Sequence, residues 1–107
     1  MPSYTLFGYR FFFYSNEFKD AYNLEPVHIH VCKGRPSHGA PKWWVGENKI
    51  CRADNADVTD YGLKNSDIKF IEELILSNTD VIIKMWKEQF GENMLSYHSS
   101  VQDNEKA

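Results

Sequence analysis

His28 and His30 stand one residue apart in the segment Pro26-Val27-His28-Ile29-His30-Val31. In an extended strand alternate side chains leave on the same face, so the two imidazoles stand side by side. Val27, Ile29 and Val31 then turn the opposite way, toward a core. Neighbouring imidazoles can do two kinds of chemistry. As metal ligands they supply part of the donor set of zinc or another divalent transition metal. A third donor is sought in Cys32, which shares their strand face by parity, in Glu25 or in His38. As general acid and base they titrate in the range that phosphoester or acyl chemistry needs. Arg10 and Tyr14, together on one face of a neighbouring aromatic strand, would then offer a cation and a hydroxyl to a phosphate. The plainer alternative is architectural: the imidazoles satisfy polar groups, bonding the Tyr14 hydroxyl or the loop before Pro26. With no His-Glu-x-x-His helix and no Cys-x-x-Cys pair in the chain, that alternative is the default. The catalytic candidates are His28, His30, Arg10 and Tyr14; the metal candidates are His28, His30 and Cys32.

The elements that must position these residues are short strands followed by helices. Tyr4 to Phe7 and Tyr9 to Ser15 are rich in aromatic residues of high β propensity, with Gly8 between them. Gly8 permits either a hairpin or a single bulged strand. In the second segment Tyr9, Phe11 and Phe13 share one face and Arg10, Phe12 and Tyr14 the other. A polar loop over residues 17–25 leads to Pro26, which opens a strand from Val27 to Lys33. The breaker-rich stretch from Gly34 to Pro41 reads as a surface loop. Lys42 to Val45 and Lys49 to Arg52 form a further hairpin around Gly46-Glu47-Asn48.

From Leu63 the period changes to that of a helix. Ser66 is the expected N-cap, and Ile68, Ile71, Leu74 and Ile75 fall on one face. Ser77-Asn78-Thr79-Asp80 interrupts, so a second helix starts at Asn78 or Thr79, buries Ile82, Met85, Trp86 and Phe90, and ends at Gly91. The fold class is therefore α+β: an antiparallel sheet of four to five strands in the N-terminal half, with two C-terminal helices packed on one face. Residues 1–95 are expected to form a single domain and residues 96–107 a polar, frayed tail.

Length and composition bound the function. A chain of 107 residues that is 42% hydrophobic, with seven Phe, six Tyr and three Trp, fills one core and argues against disorder. A net charge of −3 disfavours a dedicated nucleic-acid binder. Lys33, Arg35, Lys42 and Lys49 could still line one sheet edge as a modest basic patch. Trp43 and Trp44 must point to opposite faces, so at least one is core, and Trp86 lies on a helix stripe. Phe11-Phe12-Phe13-Tyr14 is too short for a signal peptide or membrane span. Cys32 and Cys51 then read as reduced thiols of a cytoplasmic protein.

The order of these pieces resembles the small bacterial proteins of domain-of-unknown-function family 4160. The resemblance rests on Phe7-Gly8-Tyr9-Arg10-Phe11-Phe12-Phe13-Tyr14-Ser15-Asn16-Glu17, Pro26-Val27-His28-Ile29-His30-Val31 and Lys42-Trp43-Trp44-Val45. It continues through the two helices to Met85-Trp86 and Gln89-Phe90-Gly91, covering residues 3 to 91. The loop between Asn16 and Pro26 is longer than the family's usual pattern. The resemblance implies a fold and a cytoplasmic compartment rather than a reaction, and hints at toxin–antitoxin-like pairs. The leading expectation is an interaction or regulatory module that takes a protein partner or self-associates, without a membrane and with nucleic acid disfavoured by charge. The alternative is a metal- or histidine-dependent hydrolase centred on His28 and His30, with zinc as the cofactor it would use.

Overall fold

Phe7 and Gly8 both adopt positive φ, 53° and 86°, and form the two-residue turn of a hairpin. That pair of left-handed residues matches the right-handed twist of the strands it joins. It settles the role of Gly8: β1 (Ser3–Leu6) and β2 (Tyr9–Phe12) are separate antiparallel strands, with Leu6 opposite Tyr9. The computed structural model describes residues 3–14, 24–33, 40–53 and 63–102. In it β3 (His28–Lys33), β4 (Lys42–Gly46) and β5 (Lys49–Arg52) complete a five-stranded sheet in the order β1-β2-β3-β4-β5. Every neighbouring pair is antiparallel, so the sheet is a meander built from sequence-adjacent pairings.

Two helices follow, α1 (Asn65–Ser77) and α2 (Thr79–Phe90). Their apolar stripes, Ile68, Ile71 and Ile75 with Ile82, Ile83 and Trp86, pack on the sheet face that carries Tyr9, Phe11, Val27, Ile29, Val31, Trp43 and Val45. Phe13 joins the same core, its ring 5.1 Å from that of Trp86. The antiparallel α+β architecture is thus the one the periodicities indicate. Trp43 and Trp86 are both fully buried, while Trp44 turns to the opposite face of the sheet. Cys32 and Cys51 stand on β3 and β5 with β4 between them and form no disulfide. No helix among the described residues is long and apolar enough to cross a membrane.

Two local expectations are corrected. Ser66 does not cap α1: Lys64 occupies the cap position, and its backbone N–H donates to Asp67 Oδ2 at 2.8 Å. A carboxylate three residues into a helix reaches back to the cap amide, which leaves Ser66 inside the first turn. Within the segment 96–107, expected to fray, the described residues 96–102 are held against the sheet. The Val27 N–H donates to the Ser96 carbonyl at 2.9 Å, and Ser99–Val101 form a short 3-10 turn with Val101 buried. The physical reason is fit: a Cβ placed on Gly46 would come within 2.5 Å of the Val101 carbonyl oxygen. The bare glycine backbone is the seat of this strap.

Candidate functional site

β3 runs through the middle of the sheet, and the face turned away from the main core carries His28, His30 and Cys32, as parity requires. In the register, His30 lies between Phe12 on β2 and Lys42 on β4, and His28 lies opposite Trp44. The two imidazoles are neighbours, with ring centroids 5.0 Å apart and planes at 89°. His28 is fully buried and His30 only 6% exposed.

Each ring is held through Nδ1. His28 Nδ1 donates to the Pro26 carbonyl at 2.9 Å, and His30 Nδ1 donates to the Ala40 carbonyl at 3.1 Å. A carbonyl oxygen only accepts, so these bonds assign the proton of each neutral ring to Nδ1. The Ala40 peptide is gripped at both ends, because its N–H donates to the Tyr14 hydroxyl at 3.1 Å. Tyr14 in turn lies edge-on against His30 with centroids 4.5 Å apart. His28 is walled by rings: Trp86 at 5.1 Å, Trp44 at 5.7 Å and His30. The C-terminal turn of α2 brings Trp86 to the end of the sheet, and this is why His28 lies inside rather than on a half-exposed face.

The structure therefore gathers His28, His30 and Tyr14 but sets Arg10 apart. Arg10 faces Cys32 across the β2–β3 ladder, one step beyond Phe12. Burial pushes the Cys32 thiol above its ordinary range, against the opposing pull of the Arg10 charge. Among the described residues no three His, Cys, Asp or Glu side chains gather into a set that could hold a metal. Glu25 bonds Lys42 Nζ at 2.8 Å, and His38 lies outside the described residues.

The described members of the basic patch each have an intramolecular partner. Lys33 pairs with Asp67 at 3.5 Å, Lys42 pairs with Glu25, and Lys49 reaches the Gln102 carbonyl at 3.5 Å. Arg35 lies outside the described residues.

Two features were not read from the sequence. Asp67 accepts from the Tyr9 hydroxyl at 2.5 Å, joining α1 to β2. The Lys64 amide and then the Tyr9 hydroxyl hold the Asp67 carboxyl below its ordinary range, with burial opposing and Lys33 assisting. The same bond, with burial, raises the Tyr9 phenol. The second feature is His98, whose ring stacks on Trp44 at 4.2 Å and 6° while Lys42 Nζ sits 4.5 Å from the Trp44 ring centroid. Nothing periodic surrounds His98. Its only local signal is the following Ser-Ser pair, whose second member caps onto the imidazole.

The family model for a domain of unknown function, DUF4160, matches residues 8–87. That stretch contains β2 to β5, α1 and most of α2, with His28, His30, Arg10, Tyr14 and Cys32 all inside it. No curated protein and no solved structure gives a significant match to the chain. On the strength of a match over most of its length, the chain belongs to the DUF4160 family.

Proposed function

We propose that the protein is an interaction module, one half of a regulatory or toxin–antitoxin-like pair, which receives an extended segment of a partner protein on the outer edge of β1. The observation that carries this reading is the edge itself. No described residue pairs with the outer side of β1, and Phe7 at its end is 73% exposed. Phe7 meets the exposed ring of Phe70 on α1 edge-to-face at 5.4 Å, forming an aromatic shoulder beside the strand. A strand edge with alternating open amides and a flanking apolar surface is the usual receptor for strand addition.

The hydrolase reading has less support. His28 and His30 are buried and bonded through Nδ1 to main-chain carbonyls, an arrangement that supports an architectural role over that of a general base.

The register supplies a test. Leu6 and Tyr9 close the two-residue turn as the bonded pair, so the amide and carbonyl of Thr5 point outward. Thr5→Pro deletes that outward donor without touching the β1–β2 ladder. Co-expression with the proteins encoded beside it, followed by mass determination in solution, should give a stoichiometric complex with the wild type. Thr5→Pro should abolish that complex at an unchanged melting temperature. A complex indifferent to Thr5→Pro, or a monomer with every neighbour tested, overturns the reading.

A further inference from the structure

The face of the sheet opposite the helices bears a cavity of about 340 Å³ at the β4–β5 end, lined by Lys42, Trp44, Cys51, Arg52, His98 and Ser100 among others. Two strands and the C-terminal strap build it. Trp44 and Cys51 are cross-strand partners that supply the floor, and the strap brings His98 and Ser100 over from beyond α2. The indole of Trp44 cannot swing: His98 lies flat on it and Lys42 Nζ caps it.

The hydrogen bonds around His98 decide which atoms the wall can offer. The Ser100 backbone N–H donates to His98 Nδ1 at 3.1 Å, and the Ser100 hydroxyl lies 2.8 Å from the same nitrogen. A backbone amide only donates, so Nδ1 is the acceptor and the neutral ring carries its proton on Nε2. His98 thereby presents Nε2–H as a hydrogen-bond donor. Lys42 adds an ammonium, which Glu25 binds at 2.8 Å. In a chain of net charge −3, a cavity whose described lining offers the Lys42 ammonium and the His98 Nε2–H and no carboxylate has the chemistry of an anion site. Its volume exceeds that of a bare oxyanion and reaches the range in which small organic ligands bind.

We propose that this cavity binds a phosphate monoester, with Lys42 and His98 Nε2–H holding the phosphate and the floor around Cys51, beside the Trp44 edge, receiving the organic group. Glu25 is the built-in competitor, occupying Lys42 when no ligand is bound. This site is separate from the β1 edge, lies on the opposite margin of the sheet and stands whether or not that edge takes a partner.

The test is a titration of the full chain with adenosine 5′-monophosphate, inorganic phosphate and adenosine, followed by the Trp44 indole and Ser100 amide resonances. The monophosphate should shift both saturably, inorganic phosphate should do so more weakly, and adenosine should not. His98→Phe keeps a ring on Trp44 but lacks the donor, and Lys42→Met lacks the ammonium. Each should weaken binding by roughly tenfold or more, the worth of one charge-assisted hydrogen bond. Glu25→Gln releases Lys42 and should tighten binding severalfold. Two outcomes overturn the proposal: no saturable shift with either phosphate, or saturable binding that all three substitutions leave unchanged.

Discussion

His28→Ala should cost about 3 kcal/mol of stability, the usual scale for removing a large buried side chain and leaving a carbonyl without its donor. Denaturant titration measures it directly. A loss below about 1 kcal/mol would mean that the ring is dispensable to the fold, and would return His28 to the list of functional groups. The same reasoning shows how far single residues were legible in the sequence. Strand parity put His28, His30 and Cys32 on one face and Val27, Ile29 and Val31 on the other, because a period of two is fixed by backbone geometry alone. Parity says nothing about what lies above a face. Burial of His28 depends on Trp86, which arrives from another element, and the anchoring of His30 depends on Ala40 in the chain leading into β4. The separation of Arg10 from Tyr14 has a similar origin. Two residues on one strand face are joined or separated by what stands between them, and here Phe12 stands between them.

At the scale of elements, Gly46→Ala is the sharpest probe of the strap. The added methyl would lie 2.5 Å from the Val101 carbonyl oxygen and 2.9 Å from the Val101 Cβ, with main chain on one side and a strand on the other. The strap should lift, and amide exchange over residues 96–102 should accelerate while that of the α1 and α2 amides stays the same. Uniform protection across the variant would show that β4 itself yields instead. Strands and helices were readable because each carries its own period and its own punctuation. The strap was not, because Ser96 to Gln102 is mostly polar and has neither. What orders it is tertiary: the Ser96 carbonyl for the Val27 amide, His98 for Trp44, and Val101 for the space a glycine leaves. The same limit misplaced the α1 cap. Ser66 has the better propensity, yet Asp67 one residue later bonds both the Lys64 amide and the Tyr9 hydroxyl.

For the whole molecule, stability should form a plateau bounded by two titrations. The Asp67 carboxyl is held below its ordinary value of 3.8, so the folded state favours the charged form. That contribution is complete above the unfolded value and is lost as the pH falls through the folded one. On the alkaline side Tyr4 is pushed up to about 12 by burial, and Tyr9 is raised by its bond to Asp67 and by burial. Their contribution is complete below pH 10, the ordinary phenol value, and fades as the pH rises through the folded values. Asp67→Asn should flatten the acid limb measured by denaturation at a series of pH values. An acid limb that stays as steep in the variant would assign it to other carboxylates.

The strap also orders events in time. Synthesis runs from β1 toward residue 102, and each strand pairs with the one made just before it, so the sheet can close while the rest of the chain is still being made. The acceptor for the Val27 amide and the ring that covers Trp44 emerge after both helices. A chain cut or stalled after Phe90 would own every strand and both helices, yet would display an open backbone donor and a bare indole. The strap is therefore legible on the surface, where a protease or chaperone can distinguish a chain that carries Ser96 to Gln102 from one that stops at Phe90.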